Sequence, residues 1–167
     1  MPFDHQQATI LQHIAEYGIS LSVNGPCAHN PDQKPYIYTV GMTGIGAPEL
    51  ICFGLDPRVV GPYLNMIFQQ ISQKTRRPDL RRDDDFWTFV TYFDDVETSV
   101  AREYATDSFD FYGKFGQVPK FKQMVYPDKR GFYPFEAQCS EEIKARQPYL
   151  GTRKRRDADH DPSFALN

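Results

Sequence analysis

Apolar positions along this chain switch between two periods, and the switches mark its elements. Ile10, Leu11, Ile14 and Tyr17 recur at helical spacing and predict a helix from about Asp4 to Tyr17. Asp4 supplies its cap, Gln7 three residues on completes a capping box, and Gly18 stands just past its end. Ile19 to Val23 alternates as a short strand closed by Asn24-Gly25-Pro26, and Cys27 to Pro35 is a polar loop. Tyr36 to Met42 and Leu50 to Leu55 then predict two strands joined by Thr43 to Glu49. The second is almost continuously apolar, the pattern of a central strand covered on both faces. Short connections make sequential strands neighbours, so these two are expected side by side. Asp56-Pro57 opens a helix, with a capping side chain followed by proline at the first helical position. Val60, Leu64, Ile67, Phe68 and Ile71 form its core-facing stripe as far as Gln73.

Beyond that helix the pattern weakens. Lys74 to Asp85 has no period and mixes arginines with three consecutive aspartates, which predicts a solvated loop. Phe86 to Phe93 and Val96 to Glu103 read as a hairpin turned at Asp94-Asp95. Tyr104 to Phe115 reads as a short helix, Phe121 to Tyr126 as a strand, and Pro127 to Gly131 as a turn. From Gln147 no apolar period remains. The pattern therefore predicts a single α+β domain over residues 1–146, with a mostly antiparallel or mixed sheet and a helix packed on one face. A polar, disordered tail is expected over residues 147–167.

Composition narrows the function classes. A chain of 167 residues with 13 Phe and 10 Tyr buries a real core, roughly 70% of its unfolded surface. A net charge of -3 gives no overall field for nucleic acid or anionic membrane. The basic runs at 74–82 and 153–156 are the features that favour nucleic acid. Asp83, Asp84 and Asp85 neutralise the first run, and Asp157, Asp159 and Asp161 follow the second, so solvated faces are the simpler reading. Cys27, Cys52 and Cys139 form no disulfide framework, and neither a signal peptide nor an apolar run of membrane-spanning length is present. A reducing cytoplasm is the expected location.

Candidate chemistry centres on two segments, each joining strand residues to a glycine-bearing turn and one carboxylate. Glu49 opens a strand beside the turn of Gly41, Gly44 and Gly46, where a carboxylate serves either as acid or base or as a cap for backbone donors. Asp128, in Tyr126-Pro127-Asp128 before Gly131, is suited to accept N–H bonds in its own turn. Tyr38 shares a strand face with Tyr36, a pairing that usually packs with the hydroxyls at a polar edge. Asn65 sits beside an apolar helical stripe, where an amide needs a partner. Tyr38, Glu49, Asn65 and Asp128 are therefore the candidate ligand-binding residues, expected to converge on one cleft, and Glu49 and Asp128 the candidate catalytic pair. Cys27-x-His29 lacks a second matched pair, and His5, His13 and His160 are not spaced as ligands, so no metal site is expected. No phosphate loop, nucleophile elbow or dinucleotide fingerprint occurs, so no cofactor is expected.

Taken together, Tyr38-Thr-Val-Gly41, Pro48-Glu-Leu50 with Phe53-Gly-Leu55, Leu64-Asn65, and Tyr126-Pro-Asp128 with Gly131-Phe and Pro134-Phe resemble the bacterial family called domain of unknown function 4262. The resemblance runs from about Ile10 to Glu136. It implies a small soluble α+β domain with no assigned activity. In that family a histidine often precedes the Pro-Glu pair; here that position is Ala47, which supplies no imidazole. The residues themselves favour a non-catalytic module that binds a protein or a small molecule. A small hydrolase or acid–base enzyme using Glu49 and Asp128, and a nucleic-acid-associated protein, are the alternatives.

Overall fold

Among residues 2–153, which the computed structural model describes, six strands form one mixed sheet with helices on both faces. The strands are β1 (Ser20–Asn24), β2 (Tyr36–Val40), β3 (Glu49–Phe53), β4 (Arg82–Asp83), β5 (Thr91–Val96) and β6 (Phe121–Val125). Their order across the sheet is β1-β2-β3-β6-β5-β4, and every neighbouring pair is antiparallel except β3 and β6. β2 and β3 are adjacent, as their short connection requires, and every residue of both is buried.

The helices are α1 (His5–Tyr17), α2 (Pro57–Ser72), α3 (Thr98–Tyr104), α4 (Thr106–Gly113) and α5 (Glu141–Arg146). α1 forms where its caps predict. The Asp4 carboxylate accepts from the Gln7 N–H while the Gln7 side chain accepts from the Asp4 N–H, and left-handed Gly18 ends the helix. α2 packs Val60, Tyr63, Leu64, Ile67, Phe68 and Ile71 against Ile37, Leu50 and Cys52 on one face of the sheet. On the other face, Tyr36, Tyr38, Val40, Ile51 and Phe53 meet Ile10 of α1, Ala101 of α3, and Phe109, Phe111 and Tyr112 of α4. The alternation of side chains along β2 and β3 divides the core into these two layers.

Three regions differ from the expectation set by periodicity. Asp94 and Asp95 do not turn a hairpin: both lie inside β5, and the chain then enters α3. The two acids are tolerated in a strand because distant residues answer them. Arg153 makes two hydrogen bonds to the Asp94 carboxylate, at 3.1 and 2.7 Å, and Lys122 stands 3.5 Å from Asp95. The loop after α2 is tethered rather than simply solvated. Leu80 joins the core, and buried Asp83 takes hydrogen bonds from Tyr63 at 2.5 Å and Arg76 at 3.3 Å. Finally, packing does not stop at Gln147. Its amide pairs with both the N–H and the C=O of Tyr126, Gly151 bridges to Val96, and the Thr152 N–H donates to the Asp95 carbonyl. Residues 154–167, the rest of the expected tail, lie outside the described residues.

Candidate functional site

Glu49 begins β3 at the point where β2 ends and the chain folds over itself. Gly41 has φ +134°, and a Cβ there would stand 2.8 Å from the Gly18 carbonyl oxygen, so only glycine passes beneath the α1–β1 corner. That tight passage turns the N–H groups of Gly41, Met42 and Thr43 onto the Glu49 carboxylate, at 3.2, 3.3 and 2.9 Å. Hydroxyls complete the shell: Thr39 at 2.6 Å, Thr43 at 2.8 Å and Tyr112 of α4 at 2.6 Å. Glu49 has no exposure to solvent. With this ring of donors around two oxygens, no lone pair is left for a substrate proton. Burial first, and then the Glu49 charge and hydrogen bond, push the Tyr112 hydroxyl far above its ordinary value, so it remains a neutral donor.

The other sequence candidates fall in different places. Tyr38 packs its ring in the core on the α4 side, and its hydroxyl donates to Asp107 at 3.2 Å. Tyr38 and Glu49 are thus both tied to α4, through Asp107 and Tyr112. Asn65 is exposed on α2, across the sheet from Tyr38. Asp128 follows β6, and the register places Glu49 opposite Phe121 at that strand's start. The four residue steps from Phe121 to Val125 alone span about 13 Å. Asp128 lies farther along the chain, so Glu49 and Asp128 occupy opposite ends of the β3–β6 pair and no shared site brings them together.

Asp128 builds its own turn. One carboxylate oxygen accepts from the N–H groups of Arg130 at 2.8 Å and Phe132 at 3.0 Å, and the other from Ser140, the cap of α5, at 2.9 Å. Burial alone would raise this carboxyl, but the N–H donors of Phe132, Ser140 and Arg130 outweigh it and hold it below the ordinary value. Cys27 and His29 are both exposed. Among the described residues, the acids close enough to share an ion are Asp83, Asp84 and Asp85. Asp83 is already committed there to Tyr63, to Arg76 and to the Asp85 N–H. In the basic runs, Arg77 pairs with Asp79 at 3.3 Å, Arg82 with Asp84 at 3.1 Å, and Arg153 with Asp94 at 2.7 Å.

A cleft of about 310 Å³ opens at the end of β2 and β3 away from Glu49. Its floor is a corner of three aromatic rings. Tyr36 lies 5.2 Å from Phe53, and Tyr104 at the end of α3 meets both edge-on, at 5.6 and 5.3 Å. The Tyr36 hydroxyl donates to the Tyr104 carbonyl at 2.9 Å, which fixes α3 against the strand. Burial raises Tyr36 above its ordinary value, so this donor also stays protonated. Gln33 and Lys34 from the loop before β2, Glu103 of α3 and Pro148 complete the lining. Periodicity did not single out Lys34, Glu103 or Tyr104: two stand beside predicted element boundaries and the third within a mispredicted strand. Nor did it mark Thr39, Thr43 and Tyr112, whose roles become visible only when the turn folds onto Glu49.

Searches of curated proteins and of solved structures find no match. A family model matches residues 13–140, spanning the end of α1, the Glu49 turn, α2 and the Asp128 turn. The chain therefore belongs to the family described as Domain of unknown function (DUF4262), to which no activity is assigned.

Proposed function

We propose that this protein is a non-catalytic binding module whose small-molecule site is the cleft floored by Tyr36, Phe53 and Tyr104. The observation that carries this reading is the state of Glu49. The carboxylate best placed for acid–base chemistry is enclosed and fully engaged by donors of its own chain. Asp128 is similarly committed to three backbone N–H groups, which weighs against an acid–base pair. The cleft, by contrast, joins an aromatic floor to polar walls, the usual composition of a small-molecule site.

Native mass spectrometry of the full chain, incubated with a pool of small polar metabolites, tests the reading. A retained molecule is expected to be released chemically unchanged, and Tyr104→Ala is expected to abolish its retention. Conversion of any pool member to a product by the wild type, lost in Glu49→Gln at a temperature where that variant is folded, overturns the non-catalytic reading. Retention unaffected by Tyr104→Ala overturns the assignment of the cleft.

A further inference from the structure

Two opposite charges face the same cleft, and neither is used by the fold. Lys34 and Glu103 are exposed, and among the described residues neither side chain makes an ion pair or a hydrogen bond. Asp83, Asp94 and Asp128, which the fold does use, each have a cation within 3.5 Å. Glu103 also lies in the last turn of α3, where the helix end already carries partial negative charge. An acid there does not help the helix. It makes the cleft attractive to a cation, while Lys34, from the loop before β2, makes it attractive to an anion. The aromatic corner of Tyr36, Phe53 and Tyr104 lines the same cleft.

Resting on the reading of this cleft as the binding site, we propose that its ligand is a small zwitterion of the free α-amino acid class. The ligand carboxylate pairs with Lys34, its ammonium with Glu103, and its apolar side chain enters over Tyr104. A cleft of about 310 Å³ is ample for a molecule of that size. An amine or a carboxylic acid alone would leave one of the two charged residues without its partner, so discrimination arises from needing both.

Calorimetric titration of the full chain with three matched probe sets tests this. One set comprises leucine and phenylalanine, a second the corresponding amines lacking the carboxylate, and a third the corresponding acids lacking the amine. At least one amino acid is expected to bind about tenfold or more tightly than either of its truncated analogues. Lys34→Met is expected to weaken the amino acid to the level of the amine while leaving the amine itself unchanged. Glu103→Gln should weaken it to the level of the acid and leave the acid unchanged. Both residues are exposed, so neither variant is expected to threaten folding. Equal binding of amino acid and truncated analogue, abolished by Tyr104→Ala, overturns the zwitterion assignment and leaves the cleft reading intact. Binding that survives Tyr104→Ala overturns both, and absence of binding by every probe overturns the zwitterion assignment alone.

Discussion

Glu49 shows how a single residue can resemble a catalytic acid and act as the centre of a turn. Its six donors come from a strand end, a turn and a helix, so one carboxylate fastens β2, β3 and α4 together. Replacing it with glutamine keeps the shape but turns an amide nitrogen toward N–H and hydroxyl donors. Each orphaned buried donor costs about 1–3 kcal/mol, so Glu49→Gln is expected to lose roughly 2–5 kcal/mol. For a chain of this size, that lowers the thermal midpoint by about 5–15 °C. Tyr112→Phe removes one donor to Glu49 and one acceptor of the Gly41 N–H, which keeps its bond to Glu49, and should lose only about 1–2 kcal/mol. A glutamine variant that melts with the wild type would mean the carboxylate is not holding the turn. The sequence made Glu49 conspicuous through its glycine-rich neighbourhood. Which of its two roles applied depended on Tyr112, which is 63 residues away, and no local pattern reports such a pairing.

At the level of elements, hydrophobic periodicity is a sound guide wherever an element is held by apolar contact. α1, α2, β2 and β3 appear where their stripes and caps place them, because burial and capping are local properties of the chain. Periodicity fails where polar groups hold the backbone. The segment from Gln147 to Arg153 has no apolar stripe, yet side-chain amides and one guanidinium fix it to the sheet. Gln123, buried within β6, donates to the Pro148 carbonyl at 2.9 Å and accepts from the Leu150 N–H at 2.7 Å. Arg153 lies over the rings of Tyr92 and Phe135, 4.6 and 4.5 Å from their centres, while bonding to Asp94. Tyr149 adds a hydrogen bond to the same carboxylate at 2.7 Å. A chain ending at Arg146 leaves Asp94 and Gln123 without these partners. Relative to a chain ending at Arg153, it is expected to lose at least about 3 kcal/mol, or roughly 6–12 °C in thermal midpoint. Coincident melting curves for the two chains would show that this segment contributes nothing to the fold. The same polar answer explains the missed strand: Asp94-Asp95 has the composition of a turn until Arg153, Tyr149 and Lys122 are brought to it.

For the molecule as a whole, committing so many acids and phenols to internal hydrogen bonds bounds stability on both sides of neutrality. Asp83 and Asp128 are opposed by burial, but their hydrogen-bond donors and nearby arginines prevail, and both carboxyls lie below the ordinary 3.8. Each therefore adds stability that is fully present above about pH 4 and is lost as pH falls through its lower folded value. Tyrosines act in the opposite sense. Burial raises Tyr38, Tyr63, Tyr112, Tyr126, Tyr133 and Tyr149 above the ordinary 10.0. Their contribution is complete below pH 10 and is lost as pH rises toward the folded values, because the unfolded chain ionises them first. Thermal midpoints measured from pH 2 to pH 12 are expected to form a plateau between about pH 5 and pH 9, falling on both sides. Asp128→Asn should lie below the wild type on the plateau and approach it at the acid end, where the wild-type carboxylate is itself protonated. Absorbance of tyrosinate from the buried set should rise only as the protein unfolds, above pH 10. A single smooth rise near pH 10 with the fold intact would show that the buried hydroxyls are open to solvent, and the alkaline limb would then need another origin.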